Sequence, residues 1–168
     1  MSYISLSNVE ANIARFYEHK WKLNKMEDRD KKKETILVVE DVPEVMTVVT
    51  NLLEMSGYST FRARNGEEAI RLFKENQDKI DMVLLDVILP GIGGKEVYRH
   101  IHQMASNIPF VINTGTSVQN EDIVYFEQQG LQVIRKPYSM DVLEKSIKRA
   151  LDPPKSDPTQ DSDSLHTN

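Results

Sequence analysis

Between residues 35 and 151 short apolar runs alternate with longer stretches whose apolar residues recur every three or four positions. Thr35–Val39 reads as a strand. Pro43 then takes a first-turn position ahead of Val45, Val48, Val49, Leu52 and Leu53, a helix face that Gly57 ends. A second strand covers Tyr58–Ala63, and Asn65 caps a helix turning Ala69, Leu72 and Phe73 inward. The third strand is Asp81–Asp86. The turn Pro90-Gly91-Ile92-Gly93-Gly94 leads into a helix carrying Val97, Ile101 and Met104. Ile108–Thr114 is the fourth strand, a weaker helix spans about 120–129, Leu131–Lys136 is the fifth strand, and Ser139 caps a last helix with Leu143, Ile147 and Leu151. Short strands alternating with helices predict a parallel sheet covered on both faces, because parallel neighbours need a crossover and a helix usually supplies it. The fold class is α/β, a doubly wound five-stranded parallel sheet.

Charge adds boundaries to this pattern. Residues 1–34 hold eight Lys/Arg and six Asp/Glu, whereas 152–168 hold one Lys and four Asp. The domain is expected at 35–151, with an N-terminal extension at 1–34 and a Pro/Ser/Asp-rich tail at 152–168 that has only Leu165 to bury and should be disordered. Leu6, Val9, Ile13, Phe16 and Leu23 form a heptad-like stripe in the extension that could dock on a partner, dimerise or pack back on the domain, but Lys20 interrupts it. An equally weighted alternative starts the natural protein at Met26. A net charge of −5 argues against a general binder of nucleic acid, and the absence of cysteine excludes disulfides and thiolate metal sites. The first residues form no signal-peptide core and no apolar run is long enough to span a bilayer, so a cytoplasmic chain is expected.

The chemistry follows from what stands at the strand ends. Glu40-Asp41, Asp86, Thr114 and Lys136 each close a strand, and in a parallel sheet those ends share the edge where open α/β sheets place their sites. Adjacent strands lie ~4.8 Å apart, so neighbouring first and third strands would gather three carboxylates. Their repulsion is relieved by raised pKa values or by a cation, and a set of oxygens without His or Cys suits Mg2+ shared with a phosphate. Lys136 and Thr114 are the groups that would meet phosphate oxygens. Asp86, ionised at neutral pH without a general base, is the plausible nucleophile toward phosphorus.

Ile36-Leu37-Val38-Val39-Glu40-Asp41, Arg64-Asn65-Gly66-Glu67-Glu68-Ala69, Leu84-Leu85-Asp86 with Leu89-Pro90-Gly91 and Gly94, Ile108-Pro109 leading to Thr114-Gly115, and Arg135-Lys136-Pro137-Tyr138 occur in this order and spacing. In them the chain resembles the receiver domain of two-component response regulators, over about seven-tenths of its length. The resemblance implies a flavodoxin-like sheet of order 2-1-3-4-5 and phosphorylation of Asp86 by a phosphohistidine on a histidine kinase or phosphotransfer protein. It implies Mg2+ on Asp41, Asp86 and the Ile88 carbonyl, with Glu40 acting through water. It also implies Thr114 and Lys136 on the phosphoryl group and a cis Lys136-Pro137 bond. The face from about residue 120 to 151 would be read by an unknown protein partner, and helix one near Val45 and Met46 would help meet the donor.

One departure concerns the switch. The family usually carries Tyr or Phe three residues before the strand-five lysine, and here that residue is Val133. A valine has no ring to swing, so Tyr138 becomes the candidate substitute, while Asn113 inside the fourth strand has no assigned part. His100 and His102, two apart on a helix, do not face each other and are expected as surface residues. Thr116 and Ser117 read as plain loop. The leading function is a phosphoacceptor that signals by binding a partner, as a monomer or weak dimer, with no nucleic-acid or membrane contact and no enzymatic turnover beyond slow self-dephosphorylation. The alternatives are the receiver piece of a hybrid histidine kinase, a constitutive binder without phosphoryl transfer, and a phosphohydrolase. The last would need a second aspartate where Ile88 stands.

Overall fold

The computed structural model describes residues 33–115 and 121–152. The N-terminal stripe, nearly all of the acidic tail, and Thr116 and Ser117 lie outside them. In chain order the elements are β1 (Thr35–Val39), α1 (Pro43–Met55), β2 (Ser59–Ala63), α2 (Gly66–Glu75), β3 (Met82–Asp86), α3 (Gly94–Met104), β4 (Phe110–Thr114), α4 (Glu121–Gln128), β5 (Gln132–Arg135) and α5 (Met140–Leu151). The strands form one parallel sheet of order β2-β1-β3-β4-β5. The doubly wound arrangement and the strand order are therefore as the sequence led us to expect.

Alternation along the strands builds two cores. Ile36 and Val38 of β1, Met82 and Leu84 of β3, Val111 of β4 and Ile134 of β5 pack against α1 and α5 through Met46, Val49, Leu53, Leu143 and Ile147. The intervening residues, among them Leu37, Val39, Val83, Leu85, Phe110 and Ile112, pack against Ala69 and Phe73 of α2, Val97 and Ile101 of α3, and Phe126 of α4. β3 lies at the centre and is buried along its whole length, which is why Met82–Leu85 is an unbroken apolar run ahead of Asp86. β2 is an edge strand and only half buried. Its Arg62 faces solvent and pairs with Glu54 at 3.0 Å.

Element ends differ from the sequence pattern by one or two residues, and local bonding accounts for it. Asp81 lies just before β3 because its carboxylate accepts from the Thr35 backbone N–H at 2.8 Å, tying the start of β1 to the lead-in of β3. Asn65 caps α2 as expected, its Oδ1 accepting from the Glu68 N–H at 2.8 Å, and the Glu68 carboxylate accepts from the Arg64 N–H at 2.8 Å. Ser139 caps α5 more loosely, at 3.4 Å from the Val142 N–H. The Lys136–Pro137 bond is cis.

Candidate functional site

Register places the polar strand ends beside one another. Val39 pairs with Leu85, Asp86 with Asn113 and Asn113 with Ile134. Glu40, Asp86, Asn113 and Ile134 thus form one row across β1, β3, β4 and β5. The period of two carries this row onto a single side: Glu40 continues Ile36 and Val38, Asp86 continues Leu84, Asn113 continues Val111, and Lys136 follows Ile134. All face toward α1 and α5.

Contacts agree with that parity. The Lys136 ammonium donates to Asp86 Oδ2 at 2.6 Å and to Glu40 Oε2. Asp86 Oδ1 accepts from the Ile88 backbone N–H at 2.9 Å, so both oxygens of Asp86 are held. Glu40 is fixed by its own N–H donating to the Ala63 carbonyl at 3.0 Å and by a long bond from the Val42 N–H to its Oε1. One carboxylate oxygen from each of Glu40, Asp41 and Asp86 lies within 4.8 Å of the other two, with Asp41 the least buried. On the far side, the Lys136 N–H donates to the Thr114 carbonyl at 2.8 Å and ties the ends of β4 and β5. Thr114 itself is buried.

Glycine brings α3 against the nucleophile candidate. A Cβ on Gly94 would sit 2.5 Å from the Asp86 carbonyl oxygen and 2.9 Å from the Val87 Cα, and the Gly94 N–H donates to the Val87 carbonyl at 3.1 Å. Only a residue without a side chain lets the helix start so near the Asp86 backbone.

Electrostatics at the row are dominated by burial. Withdrawal from water pushes the Glu40 carboxyl above its usual range, only partly offset by the bond from Lys136. Burial works against the Lys136 charge as well, but its bonds to Asp86 and Glu40 outweigh that and hold it above the ordinary lysine value. One ammonium among three carboxylates leaves an excess of negative charge made wholly of hard oxygen donors. That donor set fits a small divalent cation of the Mg2+ kind, which binds few protein oxygens and keeps waters.

Sequence reasoning foresaw the gathering of Glu40, Asp41, Asp86 and Lys136 at one edge, and they are gathered there. It gave Lys136 a phosphate or Asp86 as its partner and missed Glu40, which strand parity alone could have supplied. Ile88 stands two residues past Asp86, with its side chain 55% exposed and its N–H engaged by Asp86. Val133 packs half-buried against the core on the opposite side of the sheet. Tyr138 packs on the α1/α5 core, and burial, followed by the Glu40 charge, pushes its phenol up to about 12. His100 bonds through Nδ1 with the Glu96 carbonyl at 2.9 Å while His102 stacks on Tyr98, so the two histidines make separate contacts.

Comparison with known proteins fits this geometry. The sequence model of the response regulator receiver domain matches residues 36–148. Protein PilH of Pseudomonas aeruginosa is 35% identical over 119 residues, covering 69% of this chain and 96% of that protein. The alkaline phosphatase synthesis transcriptional regulatory protein PhoP of Bacillus subtilis is 31% identical over 69% of this chain, which spans 48% of that longer protein. A response regulator receiver domain protein from Clostridium thermocellum superposes with a TM-score of 0.66 at 27% identity, covering 70% of this chain and 94% of that one. The receiver domain of the hybrid histidine kinase CckA does so at 0.60 and 30% identity, covering 70% and 99%. With its sheet order, its edge of strand-end carboxylates and these relatives taken together, the chain belongs to the response regulator receiver domain family of two-component signalling.

Proposed function

We propose that Asp86 is the phosphoacceptor of this receiver. The observation carrying the reading is the Lys136 ammonium at 2.6 Å from Asp86 Oδ2, beside a cluster of three carboxylates at the C-terminal edge of the sheet. An Asp86 carboxylate oxygen attacks phosphorus in line as the P–N bond of a donor phosphohistidine breaks. The electron pair of that bond leaves with the imidazole, and the product is an acyl phosphate on Asp86. Lys136 then neutralises a phosphoryl oxygen and Thr114 offers its hydroxyl to another. Asp41, Asp86 and the Ile88 carbonyl would hold the metal, with Glu40 acting through water. Bound there, Mg2+ supplies charge neutralisation on the phosphoryl oxygens.

The donor in this reading is a histidine kinase or a histidine phosphotransfer protein, and the output is a change of conformation read by a protein partner in the cytoplasm. Among the described residues no helix is long and apolar enough to cross a membrane. Ile88 in place of a second acid two residues beyond Asp86 argues against turnover of phosphate esters, since no carboxyl stands there to protonate a leaving group. A second reading, the receiver of a hybrid kinase, draws support from the 30% identity to the CckA receiver. It shares the same phosphoryl chemistry.

Incubation with acetyl phosphate and Mg2+ is expected to add one phosphoryl group by intact mass, with Asp86→Asn abolishing it. Equal labelling of the variant, or multiple turnover of p-nitrophenyl phosphate, would sink the reading.

A further inference from the structure

The outward side of α1 differs from that of its neighbours. α2, α3 and α5 mix basic with acidic residues, whereas α1 has no lysine or arginine at all. Beside the face that enters the core through Met46, Val49 and Leu53, it carries a second apolar stripe of Val45, Val48, Leu52 and Met55. Val48 is 57% and Met55 45% exposed, and Val45 and Leu52 are half-buried. The stripe is one wall of a groove of about 350 Å3 that Pro137 and Tyr138 line from the other side. A contiguous apolar face of this kind marks a contact.

Its spacing of three, four and three residues is also that of Leu6, Val9, Ile13 and Phe16 in the N-terminal extension. Each set covers ~15 Å when helical. Two helices with seams of this period pack side by side, and a parallel pairing sets Leu6 against Val45, Val9 against Val48, Ile13 against Leu52 and Phe16 against Met55. The interruption at Lys20 then has a place. One turn past Phe16 lies one turn past Met55, where no apolar partner remains. There the C-terminus of α1, with no basic residue in its own last turn, favours a cation.

The path of the chain suits the same pairing. The Glu34 carbonyl accepts from the Ser59 N–H at 2.9 Å and the Tyr58 N–H donates to the Leu53 carbonyl at 3.1 Å, so the lead-in to β1 lies by the last turn of α1. Residues 17–33 separate Phe16 from that point, ample reach at ~3.3 Å per residue. A segment tethered so closely meets the face at an effective concentration on the order of mM, above that of a second copy in solution.

We propose that residues 6–16 wind into a helix that lies parallel to α1 and covers Val45, Val48, Leu52 and Met55, making the N-terminal extension this receiver's own docking partner. The docking is independent of Asp86 and its phosphoryl chemistry. A phosphodonor that meets α1 at Val45 must first displace the segment.

The chain has no cysteine, so introduced pairs report cleanly. In the full chain, Val9→Cys with Val48→Cys is expected to close an intramolecular disulfide under mild oxidation roughly tenfold or more faster than Val9→Cys with Val124→Cys. Val124 is also exposed but stands on α4, across the sheet. Ile13→Asp is expected to lower the melting temperature of the parent by several degrees and that of Val48→Asp, where the contact is already broken, by less. Comparable rates in the two pairs, the absence of a bond, or an Ile13→Asp loss undiminished by Val48→Asp would overturn the docking. A disulfide-linked dimer in place of the intramolecular bond would also overturn it and assign the face to a second copy.

Discussion

At the residue scale the site depends on a few atoms that must be absent as much as on those present. Asp86 is presented between a lysine on one side and the start of α3 on the other, and the latter approach is possible because Gly94 has no Cβ. Gly94→Ala would place a methyl group 2.5 Å from the Asp86 carbonyl oxygen. The helix start must then retreat, as in other overpacked positions, at a cost of roughly 1–3 kcal/mol. Urea denaturation should show that loss, and labelling by acetyl phosphate should slow because the Asp86 backbone moves with it. A variant as stable as the parent and labelled at the same rate would mean that the close approach is not needed.

Among the elements, the α1 to β2 connection couples packing to protonation. Tyr58 stands between Gly57 and β2 and is 6% exposed, its backbone N–H donating to the Leu53 carbonyl at 3.1 Å. Burial, with lesser contributions from the charges of Glu34, Glu144 and Asp152, raises its phenol from 10.0 to about 12. Between those values the folded chain keeps a proton that the unfolded chain gives up, so stability is whole below 10.0 and falls as pH rises toward 12. The loss amounts to roughly 2–3 kcal/mol over that window. Tyr58→Phe has no proton to lose. Its urea midpoint should fall less steeply than that of the parent from pH 9.5 to 11.5, and parallel curves would show that the phenol titrates normally.

For the whole molecule the main quantity is the charge held at one end of the sheet. Glu40, Asp41 and Asp86 crowd together with a single ammonium, so the folded state should gain stability from any cation that binds it and not the unfolded chain. At a hundredfold excess of Mg2+ over its Kd the gain is about 2.7 kcal/mol. Asp41 is the ligand candidate least engaged in packing, which makes Asp41→Asn the informative variant. With a chelator present it should be more stable than the parent, because one repelling charge is gone, and added Mg2+ should raise its melting temperature less. An identical Mg2+ response in the two proteins would remove Asp41 from the metal site.

The order of apolar and polar residues determined the five βα units, the doubly wound class and the identity of the strand-end groups. Those features follow from local periodicity and from the rule that parallel strands need crossovers, both written in neighbouring residues. Resemblance carried the strand order, which periodicity alone could not supply. Tertiary structure decided three things. Register set Asp86 level with Asn113, and only pairing between strands far apart in the chain could do so. Burial divided the acidic pair, turning Glu40 inward to Lys136 and leaving Asp41 toward solvent, because one residue of a strand end continues the core face and the next cannot. Packing of Tyr138 on the α1/α5 core placed its ring on the side of the sheet that Asn113 also faces, which no spacing in the sequence announces.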